Sequence, residues 1–258
     1  RTIPAMYSCA DCGSFVQTFN IVDGIELGKH NEMVIAGDSL SLSLDYIPLW
    51  FSGNEQVVSS AVFAGYGFSI DEDDLKWDDY AGHDVAGKWV IVMRHSPERN
   101  KRNSVYAPYS SLHKKMLVAR DKGAAGILFV SQMEDSTLYP LRYISGYAKA
   151  GIPAIHLGTK SADRLLQKAG WNRKTLQETM NRTLEPIFFE LPEVTISARV
   201  DLVETLIRGA NVIGEIRSGN REYRDEYLVL GAHFDHLGLG GRGSGSRRPG
   251  TSAVHNGA

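Results

Sequence analysis

The stretch "YLVLGAHFDHLGLGG", Tyr227 to Gly241, carries three side chains able to do chemistry. His233 and Asp235 stand two residues apart, so in an extended segment they project from the same face. A neutral imidazole is a good zinc ligand, and a carboxylate on its other ring nitrogen fixes the tautomer that binds. His236 is one residue further and points away if the strand persists. A bland reading is equally open to these residues, a hydrogen-bonded His–Asp pair in a polar loop. Cys9 and Cys12 form a single Cys-Ala-Asp-Cys pair. A zinc ribbon needs a second pair, so a local disulfide or two ordinary thiols competes with redox or metal chemistry.

Other polar clusters read as structural. Asp71-Glu72-Asp73-Asp74 lacks the glycine and spaced oxygens of a calcium loop and reads as a solvated turn. Arg94, Arg99, Lys101 and Arg102 read as a solvated basic loop after a strand, and His156 as packed or partnered, not a ligand. Gly240 to Gly245 has no Lys-Ser/Thr partner and is no phosphate loop.

The elements that position these groups fall into three parts. "SFVQTFNIV" and "DSLSLSLDYIPLWFS" alternate as strands with one wet face. After Gly53 the chain becomes a compact strand–helix alternation. "WVIVM" and "GILFV" are continuous apolar strands, and Leu112, Met116 and Ala119 share a helix face that stops at Gly123. "AGIPAIHLG" is a further strand, followed by a helix with Ser161 as N-cap and Gly170 as stop. From about Leu191 long strands return, ending in "EYLVLGAHFDH". This divides the chain into 1–52, 53–190 and 191–258. The middle part is an α/β module with its own core, and the flanking parts pair in a separate sheet.

At 258 residues, with 43% hydrophobic and 22% charged residues and a formal charge of −2, the chain has globular composition. The charge implies no pull toward nucleic acid or anionic membrane. No apolar run approaches the roughly 18 residues of a membrane span.

"GAHFDHLG", followed by a glycine-rich loop and "AVHNGA", resembles the co-catalytic di-zinc exopeptidases, the group of secreted bacterial aminopeptidases and glutamate carboxypeptidase. "VFAGYGFS", "WDDYAGHDVAGKWVIVMR", "KGAAGILFV" and "AGIPAIHLG" resemble the protease-associated domain inserted in such peptidases. The implied fold class is α/β: a partial zinc-exopeptidase sheet domain interrupted by a β-rich α/β protease-associated domain. The resemblance implies that His233 ligates one zinc, that Asp235 orients it as a catalytic partner, and that His255 takes a structural place near the metals. It implies two zinc ions per complete enzyme, sharing a water whose pKa they lower. The bridging aspartate is expected just after Ala258, and the glutamate pair further on, so this chain is expected to be an inactive part of the enzyme. The implied partners are peptide or protein substrates, and the implied location is extracytoplasmic. A competing expectation is a metal-free, receptor-like relative that uses the protease-associated domain for protein binding.

Overall fold

The continuous apolar runs of the sequence become the middle of one mixed sheet. The computed structural model describes residues 16–147, 149, 151–214, 218–223, 226 and 228–233. Twelve strands are present among them: β1 (Val16–Leu27), β2 (Glu32–Ile35), β3 (Asp38–Ser39), β4 (Tyr46–Pro48), β5 (Gln56–Ala64), β6 (Ser69–Glu72), β7 (Leu75–Asp78), β8 (Trp89–Met93), β9 (Gly126–Val130), β10 (Ala154–Leu157), β11 (Phe188–Arg199) and β12 (Leu202–Val212). Three α-helices accompany them: α1 (Leu112–Asp121), α2 (Thr159–Gln167) and α3 (Arg173–Thr183). The fold class is mixed α/β, as expected.

Eight strands form one sheet in the order β3-β2-β11-β5-β8-β9-β10-β4. The central β5, β8, β9 and β10 run parallel, while β4, β11, β2 and β3 join antiparallel. Every residue of β8, β9 and β10 is buried. Helix-covered parallel strands are wet on neither face, which is why these runs do not alternate. Trp89 fills the centre, and its indole N–H donates to the Ile196 carbonyl of β11. Gly126 opposite has no room for a Cβ, which would overlap the Trp89 ring.

The sheet reaches beyond residues 53–190. It takes β2, β3 and β4 from the first part of the chain and the length of β11 from the last. The outermost flanking strands, β1 and β12, pair in a separate two-stranded sheet. The turn into β12 is pinned twice: Asn31 brackets Asp201, and Asn54 brackets Leu202, each amide both donating to and accepting from the backbone. The unit Thr18–Gly209 holds the eight-stranded sheet and all three helices, and the described residues outside it belong to a second unit.

Several local expectations change. "DSLSLSLDYIPLWFS" is not one strand, because Ser43 takes a left-handed φ of 65° and Asp45 accepts from the Ser41 N–H. That turn separates β3 from β4. The cap of α2 is Gly158, not Ser161, because β10 passes straight into the helix with no intervening loop. Ser161 lies inside the helix and donates to Asp45 instead. The helix α3, capped by Asn172 on the Thr175 N–H, has no counterpart in the sequence reading. The acidic run Asp71–Asp74 is exposed, as read, with Asp71 and Glu72 ending β6 and Asp73 and Asp74 making the turn into β7.

Candidate functional site

Residues 228–233 carry no strand assignment, so the strand read in "EYLVLGAH" does not form among the described residues. Leu228, Val229 and Leu230 are each at least 85% exposed. An apolar run becomes a strand only when another strand takes its N–H and C=O groups, and none does so among the described residues. His233 is exposed at the end of this segment. Asp235, His236 and His255 lie outside the described residues, as do Cys9 and Cys12. Among the described residues no three His, Cys, Asp or Glu side chains approach closely enough to hold a metal ion. A zinc site needs at least three protein ligands. The described residues therefore do not fit zinc by themselves.

A second polar constellation is built where the parallel strands end. Arg94 follows the last residue of β8, Ser131 and Gln132 follow β9, and His156 lies in β10. In open α/β sheets this carboxyl edge is where ligand sites gather. Lys101 and Arg102 are exposed, as read, but Arg94 is buried, and Arg99 forks onto Asp135 at 2.9 and 3.2 Å. The cause is Asp135, forty residues downstream of His95, which brings a carboxylate to the loop. His95 Nε2 lies 2.7 Å from the same carboxylate. Burial pushes the Asp135 carboxyl up, but hydrogen bonds from Arg99 and His95 and the charges of Arg94 and Arg99 outweigh it, holding it at about 2.

Beside it, His156 is fully enclosed. Its Nδ1 accepts the Tyr139 backbone N–H at 2.8 Å, so the neutral ring carries its proton on Nε2. Nε2–H then donates to Ser131 Oγ at 2.9 Å, and Arg94 Nη1 donates to the same oxygen at 3.0 Å. A base must accept the hydroxyl proton, and this imidazole instead donates to it, so the pair is not a serine nucleophile with its base. Burial pushes the His156 imidazole down to about 3. The reading of His156 as partnered, not a ligand, holds.

Beneath the same strand end lies Lys115, wholly buried on α1. Its amino group, pushed well below the usual lysine range by burial, donates to the carbonyls of Met93 at 2.7 Å and His95 at 2.6 Å. The rings of Tyr66 and Phe68 lie 5.2 and 4.8 Å away. His95 has a φ of 61°, a left-handed backbone uncommon for a non-glycine residue, and Lys115 clamps its carbonyl. Burial also raises the Asp79 carboxyl to about 7. Asp79 accepts the Phe68 N–H, and a Cβ at Gly65 would overlap the same carboxylate. Sequence reasoning missed Lys115, Asp79 and Asp135. The signal available marked only their neighbours: Arg94 and Ser131 stand directly after the fully apolar β8 and β9.

The profile of the PA domain family matches residues 54–165. The chain contains a PA domain. This span takes in β5 to β10, α1 and most of α2, with the polar constellation at its strand ends. The comparison with curated proteins finds no match. Among solved structures the chain is similar to an aminopeptidase from Aneurinibacillus sp. strain AM-1, at 17% identity and a TM-score of 0.46 over 80% of this chain and 39% of that one. It is also similar to BSAP, a zinc aminopeptidase from Bacillus subtilis, at 18% and 0.38 over 76% and 34%. A peptidase M28 precursor from Shewanella amazonensis follows at 17% and 0.37 over 79% and 41%. The chain spans about two fifths of these proteins or less, and the likenesses assign it no activity or site. No described helix is long and apolar enough to cross a membrane.

Proposed function

We propose that these residues belong to a zinc-dependent exopeptidase of the aminopeptidase kind, acting on peptide or protein substrates outside the cytoplasm. One observation carries the reading: "GAHFDHLG" with "AVHNGA" follows a PA domain in the same chain, in the order such peptidases use. In this reading His233 ligates one of two zinc ions and Asp235 orients its imidazole from behind. The division into a peptidase part over 1–52, a PA domain over 53–190 and a returning peptidase part over 191–258 belongs to the same proposal.

The reading is tested in two steps. The gene should encode an aspartate directly after Ala258 and a Glu-Glu pair beyond it, and the longer product should hold two zinc ions and hydrolyse aminoacyl anilides. The purified 258-residue chain should show no turnover and no stoichiometric zinc pair after dialysis, since His233 is the single zinc ligand the motif gives it. Two tightly held zinc ions in that chain would mean the site has been misplaced. A longer product without zinc or turnover would favour the receptor-like alternative.

A further inference from the structure

The described residues of the connection between β9 and β10, Ser131 to Pro153, form no helix or strand. Loops of that length inside a compact domain usually serve a purpose. This one is held at both ends. Near its start Asp135 binds Arg99 and His95, and the Met133 N–H donates to Gln177. Further on, Tyr143 and Tyr147 pack edge-on against Trp50, and Lys149 pairs with Glu204 at 2.7 Å. In the middle, from Ser136 to Tyr147, the described backbone makes no hydrogen bond to other backbone outside regular elements. Besides the packing of Leu141, Tyr143 and Tyr147, its hydrogen-bonded tether is the Tyr139 N–H on His156 Nδ1, with the Tyr139 ring under the Arg94 guanidinium at 5.3 Å.

We propose that His156 is an acid-released latch: a proton on Nδ1 turns the acceptor of the Tyr139 N–H into a donor and frees the middle of this loop while the sheet remains folded. Two donors cannot share one hydrogen bond, so the ring and the amide must part. The new charge also sits one hydroxyl away from Arg94, through Ser131 Oγ.

The surroundings reinforce the effect. Arg94, Arg99 and Arg173 face Asp135, Glu134 and Asp163 at this strand edge, three cations against three carboxylates. Protonating His156 and His95 adds two positive charges to a balanced set. Asp135, held at about 2, stays ionised and gives no relief by titrating. The sign follows from burial, which lowers both imidazoles below 6.5. Their contribution to holding the loop is complete above that value and is lost as the pH falls, for His156 toward about 3. The strands behind are hydrogen-bonded and apolar, with no titrating group in β8 or β9.

Hydrogen exchange and imidazole nitrogen NMR on the 258-residue chain test the latch. After correction for intrinsic rates, the Tyr139 amide should lose about tenfold in protection between about pH 7 and pH 3, while β8 and β9 keep theirs. The loss should track protonation of His156. His156→Asn offers an acceptor that no proton can occupy, so its loop should show no acid response, whether it is closed or open throughout. Three results would overturn the proposal: the loop and the sheet exchange together, His156 stays neutral while the loop opens, or His156→Asn opens in acid as the parent does.

Discussion

Replacing Lys115 with methionine keeps much of the shape of the side chain and removes the ammonium. The carbonyls of Met93 and His95, accepting from it at 2.7 and 2.6 Å, then face a thioether that cannot donate. Burial pushes this amine well below the usual lysine range, and a hydrogen bond is worth about 0.5–1.5 kcal/mol when neutral and about 1.5–3 when charged, so the two together set a ceiling of roughly 6 kcal/mol. Relief from desolvating the ammonium works the other way, which brings the expected net loss to about 3 kcal/mol. For a chain of this size that lowers the melting temperature by roughly 6–12 °C. Urea titration should be run near pH 5.5. Asp79, held up to about 7 by burial, is protonated there, so its coupling to Lys115 does not enter the difference. The slope should be unchanged and the midpoint lower. A loss under about 1 kcal/mol would refute the clamp and mean that the Met93–His95 turn holds itself.

Gly126→Ala should cost about 1–3 kcal/mol, because the new Cβ overlaps the buried Trp89 ring, and thermal unfolding followed by Trp fluorescence checks it. An unchanged midpoint would show that the indole can slide despite its bond to Ile196. In the longer peptidase of the proposed function, His233→Ala should lose one zinc and nearly all turnover. Asp235→Asn should weaken metal affinity or activity by about 10- to 100-fold and be rescued far better by excess zinc. Full activity and two zinc ions in His233→Ala would make the pair a structural hydrogen bond.

The parallel strands were legible because burial on both faces leaves no alternation to misread: "WVIVM" and "GILFV" can scarcely be anything else. Helix α1 was legible from the spacing of Leu112, Met116 and Ala119 and from Gly123, which takes the left-handed φ of 87° its position requires. Helix α3 was not, because it buries Arg173 and Gln177 alongside Leu176 and Met180, so its inner face reads as polar. Those polar side chains are satisfied by carbonyls and carboxylates that sequence spacing cannot bring near. The strand-end constellation hid for the same reason. His95 meets Asp135 and Ser131 meets His156 only after the sheet has aligned three separated segments, and each residue alone looks like an ordinary loop or core position. The segment at His233 shows the converse: its apolar run was plain, yet the pattern does not supply a neighbour.

The sheet's strand order has a consequence for synthesis. β11 lies between β2 and β5, so the piece formed by β2 and β3 has no place to dock until residues 188–199 exist. At about 5–20 residues per second, roughly 10–30 s separate the emergence of β2 from that of its partner. From its own synthesis until β11 arrives, the outer edge of β5 is an open template beside a half-built core. A nascent chain interrupted after β10 would hold the parallel strands but not the strand that seals them, and it would be the species most prone to wrong pairing.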